Sequence, residues 1–381
     1  MARTTALADL PAEERLLCLL ARLDADSSPE RSPTILDGPI DWDRLWSLAH
    51  RHEVVPLIWW WLRAEPERRS RVPSGIAQRA ERRYLATMIR NAARVDELAR
   101  VLRAFADASI EVIPVKGPMI GETVYRNIAL RVFDDLDILV PPDRIGAARR
   151  ALEALGYRTR ATPRFEEVHH AFHDLQYFHE LSAGEQCLEL HWDLWPPARF
   201  RSDLSGLWAR SRPTSVAGVA TRVLSDEDVL LHLAIHRTAA PLRLRMVCDV
   251  AELVRDRVDR IDWEALVSRA ELLGARTALH MILALAEDLL GSPVPADVWA
   301  RTRPGPVKSW ILDRTCGVSA LFRRAADDDL KQQPRLVYRI AEQDGAWRIV
   351  RSAFAAFVRK PAKWRYQQRT AALGLEQDRR P

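Results

Sequence analysis

The hydrophobic pattern divides the chain into three stretches. From residue 10 to about 108, apolar side chains recur three and four positions apart in PAEERLLCLLARL, DRLWSLAHRHEVVPLIWWWL and NAARVDELARVLRAFADA, the spacing of amphipathic helices. Pro39 and the run Val72-Pro73-Ser74-Gly75 punctuate them. The period then changes. IEVIPV (110–115) and FDDLDILV (133–140) are short, apolar and rich in β-branched residues, which predicts strands. PDRIGAARRALEALGY, which follows the second strand, predicts an amphipathic helix closed by Gly156. HDLQYFHE and CLELHWDL flank Ser182-Ala183-Gly184-Glu185, a turn-like break that predicts a hairpin. After Ser225 the helical spacing returns in DEDVLLHLAIHRTAA, RMVCDVAELVRD and DWEALVSRAELLGARTALHMILALAEDLLG. The expected architecture is α+β: an N-terminal helical region (1–108), a core with a mixed β-sheet (109–224) and a C-terminal helical domain (225–381).

One motif occurs twice. Ile40-Asp41-Trp42-Asp43-Arg44-Leu45 and Ile261-Asp262-Trp263-Glu264-Ala265-Leu266 each place an Asp where it can cap a helix, with an acid two positions later near the positive helix end. Two copies do not make a solenoid, which needs at least three stacked units.

Composition narrows the class. The 381 residues suffice for two or three packed units, and 48% hydrophobic with 29% charged residues is the balance of a globular chain, not a disordered one. The longest apolar run, residues 54–62, is too short to span a bilayer, and the amino terminus lacks an export-signal pattern, so no membrane partner and a cytoplasmic location are expected. Cys18, Cys187, Cys248 and Cys316 form no CxxC pair, which points to buried thiols rather than a zinc knuckle or disulfide framework. A net charge of +5 over this length is a weak signal for a polyanionic partner. The choice of cation says more: Lys116 is the only lysine before residue 300, and a compact ammonium does not do the work of a planar guanidinium.

The chemistry concentrates in Asp134-Asp135-Leu136-Asp137-Ile138-Leu139-Val140. Strand alternation sends Asp135 and Asp137 to one face and Leu136 and Ile138 to the other. Two carboxylates this close repel one another unless a hard cation joins them. Removing either is therefore expected to leave the metal-free fold stable or slightly more stable. His232 with His236, and His169 with His173, have i,i+4 spacing that could bind zinc, but neither pair has the Glu of HExxH, and packing or a polar pocket is the readier role.

From Val115-Lys116-Gly117 through Tyr125, Arg131, the Asp135-Leu136-Asp137 strand, Gly156-Tyr157 and Leu188-Glu189-Leu190-His191-Trp192, and weakly to His236 and Asp249, the chain resembles the uncharacterised nucleotidyltransferases of the DNA polymerase β superfamily. The resemblance implies a polymerase β-like core. It implies that Asp135 and Asp137 bind two Mg²⁺ ions, and that Glu189 completes one metal site and helps activate an acceptor hydroxyl. It also implies that Gly117 lets the backbone approach the triphosphate of an NTP substrate, with Lys116 and Arg131 neutralising it. His191 shares the face of Glu189 and could line the site, orienting Glu189 or the acceptor. Two features depart from the superfamily pattern: Pro118 stands where a Ser usually follows the Gly, and the gap from Gly117 to Asp135 is long. The acceptor is expected to be a small molecule or peptide. The alternatives are a toxin-like enzyme modifying RNA through the basic tail at 359–366, and a noncatalytic nucleotide-binding protein.

Overall fold

Helices from both ends of the chain enclose a five-stranded sheet in a computed structural model of the protein, which describes residues 7–23, 36–160, 174–181, 184–195, 199–236, 242–322 and 344. The His169 and His173 pair and the basic tail at 359–366 lie outside the described residues. The first helices are α1 (Ala12–Leu20), α2 (Trp42–Arg51), α3 (Val55–Ala64), α4 (Pro66–Ser70) and α5 (Ser74–Asp107). The central part runs β1 (Ile113–Val115), α6 (Gly117–Thr123), β2 (Asp135–Leu139), α7 (Ile145–Ala154), β3 (Arg158–Thr159), β4 (Asp174–Leu181), β5 (Gly184–His191), α8 (Leu204–Arg210), β6 (Arg212–Val216) and β7 (Val219–Val223). Helices α9 (Asp226–His236), α10 (Leu244–Arg257), α11 (Trp263–Leu273), α12 (Arg276–Leu290), α13 (Ala296–Thr302), α14 (Pro306–Cys316) and α15 (Val318–Phe322) follow among the described residues. The α+β architecture with a mixed sheet and helical flanks is the one expected.

The sheet order is β1-β2-β5-β4-β3, with β2 parallel to β5 and the other pairings antiparallel. β4 and β5 form the expected hairpin, although the ladder already closes at Leu181 opposite Gly184, so the connection is tighter than the four-residue turn read from the sequence. A separate hairpin, β6 with β7, turns through Ala217 and Gly218, both at positive φ as a two-residue hairpin turn requires.

Strand alternation gives the sheet two different faces. Leu136, Ile138, Val140, Leu188 and Leu190 pack with Leu98, Val101, Leu102 and Phe105 of α5 and Ala148 and Leu152 of α7. On the other face Ile113, Val115 and Leu139 join a larger cluster that includes Leu17 and Trp59 from the first helices and Val247, Leu279 and Leu283 from the last. The N-terminal and C-terminal helical regions therefore share one core. No helix among the described residues is long and apolar enough to cross a membrane.

Local chemistry sets the helix ends. Asp41 and Asp262 each accept a hydrogen bond at 2.9 Å from a backbone N–H three residues on, Arg44 and Ala265 respectively, so the repeated motif is a repeated cap. The long segment from 262 breaks into α11 and α12, because Gly274 at φ +71° lets the chain turn back on the carbonyls of Ala270 and Glu271. Likewise 43–62 is two helices, separated at Glu53, whose φ of +60° leaves the helical region.

A buried polar seam ties the central sheet region to the last helices. Arg131, which follows α6, makes a two-bonded pair with Asp249 of α10 at 2.9 and 2.8 Å, and the Tyr125 hydroxyl donates to the same carboxylate at 3.1 Å. Glu53 accepts from Arg243 and Arg245 at 2.8 Å each, binding the α2–α3 link to the start of α10. Removing one partner of a buried pair strands the other's charge. Arg131→Met should therefore cost about 3–5 kcal/mol in urea unfolding, whereas Asp262→Ala, which removes only a cap, should cost about 1 kcal/mol. Equal losses would mean that the seam adds nothing beyond local hydrogen bonding.

Candidate active site

Parallel pairing of β2 with β5 sets Asp135 opposite Cys187, Asp137 opposite Glu189 and Leu139 opposite His191. Paired residues in adjacent strands share a face, so carboxylates distant in sequence become neighbours on the side away from Leu136 and Leu188. The face deepens along the strand. Asp135 and Glu189 are partly exposed, Asp137 and His191 are buried, and Leu139 lies in the helical core. Asp135, Asp137, Glu189, His191 and Lys116 are thus brought together.

Lys116 caps the acidic face from β1. Val115 pairs with Asp137, and the next residue turns the chain into α6 with φ +54° and ψ −125°, a strained conformation for a residue with a side chain. Its ammonium donates to Asp137 Oδ1 at 2.6 Å. His191 Nε2 lies 3.1 Å from the same oxygen and 3.5 Å from Glu189 Oε2. Asp137 Oδ2 is buried without a hydrogen-bond partner. Both donors share one oxygen of this carboxylate, and the other has none.

The titration behaviour follows from this crowding. Burial and the neighbouring Asp137 raise the Asp135 carboxyl to about 6. Burial would raise Asp137 too, but the Lys116 ammonium and His191 outweigh it and hold it well below the usual carboxylate range. Burial opposes the charge on His191, yet its bonds to Asp137 and Glu189 lift it to about 9. Glu189 is likewise lowered: burial pushes it up, and the His191 bond more than compensates. Lys116 is raised, burial being overcome by the three carboxylates.

Among the described residues, the group of three metal-ligand side chains is Asp137, Glu189 and His191, whose ligand atoms lie within 4.8 Å of one another; Asp135 is not part of it. A divalent cation fits the donor set, because two carboxylates and an imidazole offer ligand atoms together and Asp137 Oδ2 is buried without a partner. His232 and His236 stack at 5.9 Å on α9, and burial, then the charge of Lys116, holds both well below the usual histidine range. Arg131 commits its guanidinium to Asp249, so it stands beside the acidic face and lowers Asp135 through its charge rather than through a bond. Gly117 begins α6, and a Cβ there would only touch the Asp135 carbonyl at 3.4 Å and the Phe133 ring at 3.5 Å.

Two neighbours were missed from the sequence. Gln176 on β4, opposite Glu189, donates to Glu189 Oε1 at 2.8 Å. The hairpin predicted at 182–185 supplied the signal, since its register decides which residue of one strand faces Glu189. Arg94 comes from the long helix α5 and lies 3.6 Å from Asp134. Nothing in its local sequence marks it.

No curated protein matches this chain. The solution structure of the antibiotic-resistance factor ANT(2'')-Ia is similar at 14% identity and a TM-score of 0.33, over 48% of this chain and 96% of that one. The crystal structure of ANT(2'')-Ia in complex with adenylyl-2''-tobramycin gives 15% identity and a TM-score of 0.34, over 46% and 98%. Likeness this slight carries no argument about substrate. The match to a protein family is more extensive: residues 38–291, from before α2 to the end of α12 and including the whole acidic face, fit the family described as uncharacterised nucleotidyltransferase. The chain belongs to that family.

Proposed function

We propose that this nucleotidyltransferase is Mg²⁺-dependent and cytoplasmic, and that it moves a nucleoside monophosphate from an NTP to a hydroxyl or similar group on a small molecule or peptide, releasing pyrophosphate. The observation that carries the reading is the register of Asp137 against Glu189, with Asp135 on the same face and Asp137 Oδ2 buried without a partner. A noncatalytic nucleotide sensor has no need of three carboxylates on one face of the sheet. In this reading Asp135, Asp137 and Glu189 would hold two Mg²⁺ ions, whose charge would lower the pKa of the acceptor hydroxyl and neutralise the departing pyrophosphate. Glu189, oriented by Gln176, receives the acceptor proton. The acceptor oxygen bonds to the α-phosphorus as the bond to the bridging oxygen breaks, and pyrophosphate leaves with that electron pair.

Lys116 has two roles in this scheme. Without nucleotide it neutralises Asp137; with cations and an NTP bound, its ammonium turns to the triphosphate beside the Gly117 backbone. The direct test incubates the protein with each NTP, Mg²⁺ and panels of hydroxylated small molecules, peptides and tRNA, reading pyrophosphate and the mass of the acceptor. Nucleotide-induced thermal protection without pyrophosphate from any panel would indicate a sensor, and labelled tRNA would indicate an RNA-modifying enzyme.

Asp135→Asn and Asp137→Asn should each reduce pyrophosphate release at least about a thousandfold, a loss of roughly 4 kcal/mol of transition-state stabilisation. Their metal-free stabilities should diverge, in contrast to the common relief of repulsion expected from the sequence. Asp135 has a folded-state pKa raised to about 6, so its contribution is present below about pH 4 and is lost as pH rises through 6. At pH 7 Asp135→Asn should thus be more stable than wild type, by on the order of 1–3 kcal/mol. Asp137 is depressed, so its contribution is present at neutral pH, and Asp137→Asn should be destabilised because Lys116 and His191 lose their counter-charge. Thermal denaturation from pH 3 to 8 in chelator checks both signs.

Lys116→Met should lower metal-free stability by about 3–5 kcal/mol and recover part of it in Mg²⁺, since a cation can replace the ammonium on Asp137. Lys116→Arg should raise KM for the NTP with little change in KM for the acceptor. If Lys116→Arg handles NTP as wild type does, the ammonium has no part in triphosphate binding.

A further inference from the structure

We infer that His191 is itself a cation ligand, so that Asp137, Glu189 and His191 form a mixed nitrogen and oxygen site that takes Mn²⁺ in preference to Mg²⁺ or Ca²⁺. The inference rests on the reading of Asp137 and Glu189 as metal-binding carboxylates and adds a ligand and a selectivity to it.

Geometry carries the assignment. His191 ends β5 two residues beyond Glu189, so both side chains emerge on the acidic face. Its Nε2 is 3.1 Å from Asp137 Oδ1 and 3.5 Å from Glu189 Oε2. Adjacent ligands of an octahedral ion bound at about 2.1 Å lie about 3 Å apart, so the imidazole already stands near that separation from each carboxylate, and the three ligand atoms lie within 4.8 Å of one another. The imidazole meets both Asp137 and Glu189 within that distance, and Asp135 does not join them. Asp137 Oδ2, buried and without a partner, supplies the second observation that points to a ligand.

The chemistry of the nitrogen sets the selectivity. Mg²⁺ and Ca²⁺ prefer oxygen and gain little from an imidazole, whereas first-row transition ions accept nitrogen and oxygen together. Binding replaces a proton: the cation takes the place of the Nε2 hydrogen that now bridges to the carboxylates, and that proton leaves to solvent. Lys116 can stay on Asp137 Oδ1, because the carboxylate keeps its other oxygen.

Pulsed electron paramagnetic resonance of Mn²⁺ added to the full chain without nucleotide tests this. Direct ligation by an imidazole produces ¹⁴N modulation of the manganese echo, which changes on labelling the histidines with ¹⁵N. In His191→Gln, checked for folding by circular dichroism, the modulation should vanish. Mn²⁺ affinity should fall at least tenfold, since even loss of a group that only supports a ligand commonly costs that much, and the preference for Mn²⁺ over Mg²⁺ should shrink by a similar factor. Asp137→Asn should abolish Mn²⁺ binding. Bound Mn²⁺ without nitrogen modulation in wild type, lost in Asp137→Asn but unaffected by His191→Gln, overturns the histidine ligand and leaves the carboxylate site standing. Failure of wild type to bind Mn²⁺, with or without NTP, overturns both.

Discussion

Asp137 and Glu189 lie side by side on parallel strands, and Asp137 is almost wholly removed from water. Two charges of one sign cannot be buried together unless charges of the other sign accompany them. Much of the surrounding structure answers that constraint. The lone lysine of the first three hundred residues reaches Asp137 from a backbone conformation that side chains rarely adopt, and a buried imidazole is held between Asp137 and Glu189. Strain of this kind persists where surrounding interactions over-determine it, and the Lys116 to Asp137 pair is such an interaction.

The flanking helices decide how deep the site lies. On the acidic face, the strand positions beyond Asp137 are taken by Leu139, which joins Ile113 and Val115 in the core made by the first and last helices. The same face therefore runs from partly open Asp135 to a dry apolar interior within five residues, and the pKa values separate accordingly: Asp135 is raised where water thins without a bonded cation, and Asp137 is depressed where cations touch it. Arg131 and Asp249 fasten the last helices to this arrangement. They contribute mainly through placement, since their hydrogen bonds are spent on one another, and Arg131 reaches Asp135 only through its charge.

Membership in a nucleotidyltransferase family fits this chemistry, because transfer between anionic groups is largely a matter of positioning and charge compensation. The acidic face carries negative charge, and the buried Lys116 and the half-buried Arg94 set positive charge beside it. A site of alternating sign suits a cation sandwiched between carboxylates and phosphates.

The sequence by itself determined the elements whose signals are local. The helical spacing, the Asp41 and Asp262 caps, the β4–β5 hairpin and the alternation that puts Asp135 and Asp137 on one face all depend on neighbours a few residues apart, and all are present. Helix ends at Glu53 and Gly274 escaped the reading because an apolar repeat continues through a single positive-φ residue without a break in its period. Tertiary structure alone decided what depends on pairing between distant segments. The β2–β5 register put Glu189 and His191 beside Asp137, the hairpin register aimed Gln176 at Glu189, and α10 supplied Asp249 to Arg131 from 118 residues away. No local pattern encodes such distances, because a side chain's charge and size are the same whether its partner is a cation, a phosphate or a carboxylate on another helix; only packing, by removing water from some of those meetings, gives each its energy.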